Sequence, residues 1–201
     1  MASKDNRLRR KWQDYSGKNA AIAEINFFNV FNIAFEGTQY QIRRSPKEFS
    51  NIYVNVKLDK QTIKEIYKPE TEITKHGFTP DYAIDNTETN KTIYVEVKRQ
   101  DGWIEGKERS AGRGNAHERS CKFFTPGLLK ILREKANIND TTLPFCIVFQ
   151  GDITRDPCRV REITLWFDEY KNNFFFWRNS TNPVKLLEHF EKYILPLLDG
   201  D

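Results

Sequence analysis

Apolar and polar residues alternate along several short stretches of the chain, which is the pattern of β-strands with one buried face. The clearest stretch runs from Thr92 to Lys98, where an aliphatic residue occupies every second position. The alternation predicts that this face is buried and that Tyr94, Glu96 and Lys98 lie on the opposite face. Six turn-forming residues separate this stretch from a second short strand, Tyr82 to Asp85, so the two are predicted to form a β-hairpin.

Helical patterns, short apolar runs and capping residues predict the remaining elements. The predicted helices cover residues 20–35, a short stretch beginning at the capping box Ser45–Glu48, residues 59–67, residues 115–135 with an interruption at 125–127, residues 156–170 and residues 182–195. The predicted strands cover residues 38–43, 82–85, 92–98, 143–150 and 174–177. We therefore expect an α/β fold with a mixed central sheet of about five strands flanked by helices.

Size and composition favour one compact domain that spans residues 1–201. Hydrophobic residues make up 38% of the chain and aromatic residues 13%, which is enough to form a core. The apolar runs are all far shorter than the roughly 20 residues of a membrane span. With a charged N-terminus and three cysteines outside any zinc-binding spacing, we expect a cytoplasmic protein with free thiols. The chain has no glycine-rich phosphate loop, so we expect no nucleotide cofactor.

Positive charge is concentrated in two segments, although the net charge is only +4. Residues 1–18 carry six Lys or Arg against two acids, and residues 98–122 carry seven against four. Two basic clusters on a weakly basic chain are typical of a surface that binds a polyanion. On charge alone, two solvated faces explain the distribution equally well.

The hairpin carries the strongest candidate for chemistry. Asp81 lies just before the first strand, and hairpin pairing would bring it close to Glu96 on the second. Two ionised carboxylates repel each other unless a divalent cation lies between them, and Mg²⁺ typically takes one or two carboxylates in such a site. Lys98, on the same face as Glu96, could hold water or neutralise charge on a phosphate. The pattern alone fits a solvated strand face with a cross-strand ion pair just as well.

Pro80–Asp81 followed by Glu96–Val97–Lys98 resembles the motif of the PD-(D/E)XK nucleases. A later segment, "GRGNAHERSCK" from Gly112 to Lys122, resembles the recognition segment of type II restriction endonucleases of the EcoRI/MunI group. Most of the chain is similar to that group, above all to its MunI branch, and the two ends are least similar. The resemblance implies a restriction-endonuclease fold and a catalytic triad of Asp81, Glu96 and Lys98. It also implies Mg²⁺ bound by the two carboxylates and the Val97 carbonyl.

The recognition segment contains the residue types that read base edges, since Asn pairs with adenine and Arg with guanine in the major groove. By residue type alone, an ordinary helix N-cap is the favoured interpretation of Asn115, because caps are far commoner than base contacts. The resemblance implies that Asn115, Ala116 and Arg119 read an inner AATT and that Arg113 reads the outer base pair. The full set of predicted DNA-binding residues is Arg113, Gly114, Asn115, Ala116, Arg119 and Lys122.

The position of Arg113 decides the predicted target. The EcoRI branch has Ala there and cuts GAATTC, whereas the MunI branch has Arg and cuts CAATTG. We therefore expect a Mg²⁺-dependent type II enzyme that cuts double-stranded DNA at C^AATTG and leaves 5′ AATT overhangs with 5′-phosphates. A palindromic site implies a homodimer, and the resemblance implies a restriction-modification system with a companion methyltransferase. Two alternatives stay open: a repair or recombination nuclease with the same site, and a DNA-binding protein without catalysis.

Overall fold

A five-stranded mixed sheet forms the centre of the molecule, in the order β1-β2-β3-β4-β5. The computed structural model of the chain describes residues 7–18, 26–102 and 117–199. Strands β1, β2 and β3 pair antiparallel, whereas β3, β4 and β5 pair parallel. The strands are β1 Tyr40–Arg44, β2 Tyr82–Asn86, β3 Thr92–Arg99, β4 Phe145–Gln150 and β5 Phe174–Trp177. The predicted mixed sheet and hairpin are confirmed.

Helices cover both faces of the sheet. The α-helices are α1 Arg7–Lys18, α2 Phe27–Ala34, α3 Lys60–Glu65, α4 Pro126–Ala136, α5 Pro157–Phe167 and α6 Val184–His189. The 3₁₀ segments are Glu118–Phe124, Asp152–Thr154, Asp168–Tyr170 and Leu195–Leu197, and Phe190–Ile194 is π-helical. Helices α1, α2 and α6 pack on one face of the sheet, while α4 and α5 pack on the other. No helix in the described ranges is both long and apolar enough to cross a membrane.

Both faces of β3 are buried near its middle, so the prediction of a single buried face is wrong. Val95 is fully buried on the face covered by α1, α2 and α6. Tyr94 is only 2% exposed on the opposite face, where it contacts the ring of Phe49 edge-on. The second apolar layer comes from residues distant in sequence, and the alternation within β3 does not reveal it.

Helices α3 and α6 begin beside their predicted capping residues, whereas α2 begins later than predicted. Asn26 adopts an extended backbone and its side chain accepts the Asn29 N–H at 2.9 Å, so α2 begins at Phe27 rather than at residue 20. Residues 20–25 of the predicted helix lie outside the described ranges. Asp59 caps α3, and Asn182 accepts the Val184 N–H at the start of α6.

The helix predicted from Ser45–Glu48 is absent: the chain bends at residue 45, is irregular at 46–47 and forms a turn from residue 48. Ser45 has a φ of +46°, whereas an N-cap residue needs an extended backbone. Its N–H donates to the Asp81 carbonyl at 2.9 Å, which continues the pairing of β1 with β2 for one more residue. The local capping signal is therefore overridden by sheet pairing beside Asp81.

Candidate active site

The β2–β3 hairpin brings Asp81 opposite Glu96. The observed register pairs Tyr82 with Val95, so the next pair along the hairpin is Asp81 with Glu96. Residues at such opposing positions have Cβ atoms about 4.5–5.5 Å apart. The predicted approach of the two carboxylates across the hairpin therefore follows from the pairing of the strands.

The Asp81 carboxylate also completes the hydrogen bonding of β3. Its Oδ2 accepts the backbone N–H of Val97 at 2.8 Å. On the other side of β3, Tyr94 N–H donates to Pro144 and Gln100 N–H donates to Gln150. Even-numbered residues of β3 thus pair toward β4, and the N–H and C=O of Val97 point toward β2. The Val97 carbonyl is consequently on the same side of β3 as Asp81, as expected for a ligand to a shared ion.

Glu96 is a buried carboxylate with a counter-charge nearby. It is 6% exposed, and its Oε2 lies 2.5 Å from the Lys98 Nζ. Burial raises the pKa of Glu96, and the Lys98 ammonium opposes that rise. The Asp81 carboxylate raises the pKa further because a second negative charge disfavours ionisation. The three predicted catalytic side chains therefore converge and interact electrostatically.

The oxygen donors of Asp81, Glu96 and Val97 fit a Mg²⁺ ion that keeps most of its bound waters. Two carboxylates and one backbone carbonyl are oxygen ligands, and Mg²⁺ typically takes only one or two protein carboxylates. Within residues 7–18, 26–102 and 117–199, no group of three or more His, Cys, Asp or Glu side chains is arranged to hold a metal. Asp85 lies on the same hairpin, but Arg43 binds it at 2.6 and 3.0 Å and Thr92 donates to it at 2.7 Å. Asp85 therefore forms a structural ion pair with Arg43 and is not assigned as a third carboxylate ligand.

The second predicted site is described from His117 onward. Residues 117, 120 and 123 are buried at 0%, 3% and 2% exposure, which is the three-residue period of a 3₁₀ helix. Arg119 and Lys122 are exposed and share the same spacing, so both project from one ridge of the segment. The predicted residues Arg113, Gly114, Asn115 and Ala116 lie outside the described ranges.

Aromatic contacts connect this 3₁₀ segment to the start of β2. Phe78, three residues before Asp81, has its ring centroid 5.5 Å from that of Phe123 and stacks on Phe49 at 4.9 Å. The Lys122 ammonium lies 4.8 Å from the centroid of the Phe78 ring. The 3₁₀ segment that carries Arg119 and Lys122 therefore packs against the residues that directly precede Asp81.

Two residues that shape these sites were not predicted from the sequence. Phe78 joins the segment before β2 to the 3₁₀ segment Glu118–Phe124, and His117 anchors that segment to α5 through Glu162. In the sequence, nothing distinguishes Phe78 from any other apolar residue. The partner of His117 is 45 positions away, so no local pattern connects them.

Comparisons with known proteins agree with this arrangement. A family model described as type II restriction enzyme MunI matches residues 1–199. A type II restriction enzyme MunI from Mycoplasma sp is 54% identical over 194 residues, which cover 95% of this chain and 96% of that protein. The crystal structure of MunI restriction endonuclease in complex with cognate DNA superposes with a TM-score of 0.85 at 50% identity. That match covers 96% of this chain and 99% of the other.

Fold, site and similarity together define a type II restriction endonuclease. The chain belongs to the family of the type II restriction enzyme MunI. The expected resemblance to the EcoRI/MunI group is thereby confirmed.

Proposed function

We propose that this chain is a Mg²⁺-dependent homodimeric endonuclease that cuts double-stranded DNA at C^AATTG. The products are 5′ AATT overhangs with 5′-phosphates and 3′-hydroxyls. The observation that carries the proposal is the convergence of Asp81, Glu96 and Lys98 at one end of the hairpin. The structural match to a DNA complex of MunI supports duplex DNA as the substrate.

The residues divide the chemistry between them. Asp81, Glu96 and the Val97 carbonyl are the oxygen donors that would hold the ion. The chemistry that Mg²⁺ supplies when bound is polarisation of the scissile phosphate and activation of a water molecule. Lys98 positions the attacking water and offsets negative charge that develops on the phosphate. Burial of Glu96 keeps its surroundings poor in water, which strengthens these electrostatic interactions.

Two exposed cations are available for DNA contacts beside this site. Arg119 has the planar donor pair that matches guanine or phosphate, and we assign it to base reading together with Asn115 and Ala116. Lys122 presents a point charge and is assigned to the phosphate backbone. Arg113 and Gly114 complete the proposed recognition segment, with Arg113 directed to the outer base pair.

A palindromic target requires one active site for each strand, and a two-fold dimer supplies both. We therefore assign the functional unit to two copies of the chain. Light scattering of the purified protein, with and without a duplex containing CAATTG, measures this directly. A monomer in both samples would contradict the assignment.

Plasmid digestion with Mg²⁺, followed by sequencing of the fragment ends, tests activity, target and cut position together. Matched oligonucleotide duplexes containing CAATTG or GAATTC then test the outer base pair. We expect cutting of CAATTG after the first C. Efficient cutting of GAATTC alone would reject the assignment of Arg113. Cutting of branched DNA regardless of sequence would identify a repair nuclease instead, and binding without cutting would identify a non-catalytic DNA-binding protein.

A further inference from the structure

His117 is buried at the start of the 3₁₀ segment and is attached there by two different contacts. Its side chain is 0% exposed, and its ring stacks on Trp166 of α5 with centroids 5.2 Å apart and planes 11° apart. Its Nε2 lies 3.0 Å from Glu162 Oε2, one helical turn before Trp166. Stacking fixes the plane of the ring, and the polar contact fixes its rotation within that plane.

Glu162 is held in place for this contact. Arg159 Nη1 lies 3.0 and 2.7 Å from the two carboxylate oxygens of Glu162. Arg159 and, to a smaller extent, His117 lower the pKa of Glu162, so the carboxylate accepts rather than donates hydrogen bonds. His117 Nδ1 is buried and has no hydrogen-bond partner among the residues that the structure describes. A proton on Nδ1 would be a buried donor without an acceptor, so the ring proton belongs on Nε2, where it is donated to Glu162.

The attachment controls where Arg119 points. In a 3₁₀ helix, consecutive side chains are separated by about 120°. His117 is two residues before Arg119, and the Ser120 N–H donates to the His117 carbonyl at 3.0 Å. Because the His117 ring cannot turn or slide without losing Glu162, the 3₁₀ segment cannot rotate about its axis. This contact therefore restrains the direction of the exposed Arg119, together with the packing of Phe123 on Phe78.

The helix that anchors His117 follows the strand beside the catalytic site. Strand β4 pairs with β3 so that Phe149 is opposite Lys98. The 3₁₀ turn Asp152–Thr154 after β4 is hydrogen-bonded to the residues that directly follow β3. Ile153 N–H donates to the Gln100 carbonyl, and Asp152 accepts the Gly102 N–H at 2.8 Å. Helix α5 begins three residues after that turn. Strand β3 pairs with β4, and the 3₁₀ segment is attached to α5 through His117. Because β4 and α5 belong to one continuous stretch of chain, this stretch sets the position of β3 relative to the 3₁₀ segment.

We propose that His117 is a positioning residue for target discrimination: its Nε2–H bond to Glu162 orients the 3₁₀ segment so that Arg119 meets the correct base. The inference rests on the proposed sequence-specific cleavage. A purely packing role for His117 would need only the stacked ring, and a phenyl ring supplies that without the hydrogen bond.

Three variants separate the two roles. His117→Phe keeps an aromatic ring against Trp166 but removes the donor, Glu162→Ala removes the acceptor, and Glu162→Gln keeps an oxygen acceptor. Glu169→Ala removes an exposed acid beyond the end of α5 and is the matched control. For each protein we measure kcat and KM on a CAATTG duplex and on duplexes with one changed base, and the melting temperature.

We expect His117→Phe and Glu162→Ala to lower the ratio of cognate to near-cognate kcat/KM by about 10- to 100-fold, the range for loss of a hydrogen bond to a charged group. The double variant is expected to lose no more than either single variant, since both remove the same bond. Glu162→Gln is expected to retain most of the discrimination, and Glu169→Ala all of it. Affinity for random-sequence DNA is expected to stay at the wild-type value.

An unchanged ratio in Glu162→Ala, with the wild-type enzyme discriminating normally, would overturn the positioning role even if His117→Phe does not fold. Equal losses on cognate and near-cognate duplexes would also overturn it. A wild type that cuts a different sequence refutes the proposed target, and the same ratio is then measured on that sequence. A wild type that neither cuts nor binds any sequence preferentially would overturn both proposals.

Discussion

Asp81 carries two separable roles, and substitution by Asn or Ala is predicted to separate them. The carboxylate accepts the Val97 N–H at 2.8 Å, and it is also a proposed ligand to Mg²⁺. A hydrogen bond to a charged group typically contributes about 1.5–3 kcal/mol. Asn retains an oxygen that can accept the same N–H, whereas Ala leaves it without a partner. Both substitutions remove the charge that a divalent ion requires.

Repulsion between the carboxylates reduces the expected loss of stability. Asp81 raises the pKa of Glu96, so removing its charge relieves an unfavourable interaction in the metal-free protein. We therefore expect Asp81→Ala to lower the free energy of unfolding by about 1–2 kcal/mol, somewhat less than the hydrogen bond alone. For a chain of this length the melting temperature falls by roughly 2–4 °C per kcal/mol. Asp81→Asn is expected to melt at or slightly above the wild-type temperature in EDTA.

Two measurements on the same preparations test this reasoning. Thermal unfolding is followed in EDTA and in excess Mg²⁺, and plasmid cleavage is followed by gel electrophoresis. Mg²⁺ is expected to raise the melting temperature of the wild type but not of either Asp81 variant, because only a native-state ligand stabilises. Asp140→Asn, in an exposed turn before β4, is the control and is expected to behave as wild type.

Each role has its own refuting result. If Asp81→Asn loses as much stability in EDTA as Asp81→Ala, the oxygen that Asn retains does not stabilise the protein. The structural role of the hydrogen bond to the Val97 N–H is then refuted. If Asp81→Asn cuts plasmid DNA at the wild-type rate, Asp81 does not supply a metal ligand.

Two further predictions concern the cations near the site. Lys98→Met leaves the buried Glu96 carboxylate without its partner at 2.5 Å. It is expected to reduce the rate of single-turnover cleavage by at least about 100-fold, while the affinity for DNA in gel-shift assays stays unchanged. Cleavage within about tenfold of the wild-type rate would contradict this. Arg119→Ala is expected to cost about 1–3 kcal/mol at the base that it reads, whereas Lys122→Ala is expected to weaken binding to all sequences and to reduce the salt slope by about one. Competition binding at several salt concentrations measures both, and identical profiles for the two variants would argue against distinct roles.

The strands and the hairpin that carries the candidate site could be predicted because their signals are local. Alternation along β3, a tight turn and the single Pro80–Asp81 pair fix which residues face one another, and the observed register places Asp81 opposite Glu96. Spacing along a strand translates directly into side-chain direction. The predicted convergence of three side chains therefore needed no knowledge of the remaining fold.

Features that depend on distant contacts could not be predicted in the same way. The capping box at Ser45 is a sound local signal, yet the Ser45 N–H pairs with Asp81, 36 positions later. Charge alone predicts a polyanion-binding surface or a solvated face for the basic segment 1–18. Residues 7–18 of that segment form α1, with Leu8 and Trp12 buried at 3% and 5% exposure. Two apolar residues four apart were the available sign of a docked helix.

The register of the hairpin also gives a physical reason for a Pro-Asp pair at this point. Extending the pairing of β2 with β3 by two residues places Pro80 opposite Val97. Proline has no N–H to donate, so regular pairing ends there and Pro80 offers the Val97 carbonyl no backbone donor. The Asp81 carboxylate takes up the Val97 N–H, while the Val97 carbonyl remains directed to the same side. The end of the ladder thus places the Asp81 carboxylate, the Val97 carbonyl and the Glu96 carboxylate near one another, and all three are oxygen donors of the kind that Mg²⁺ binds.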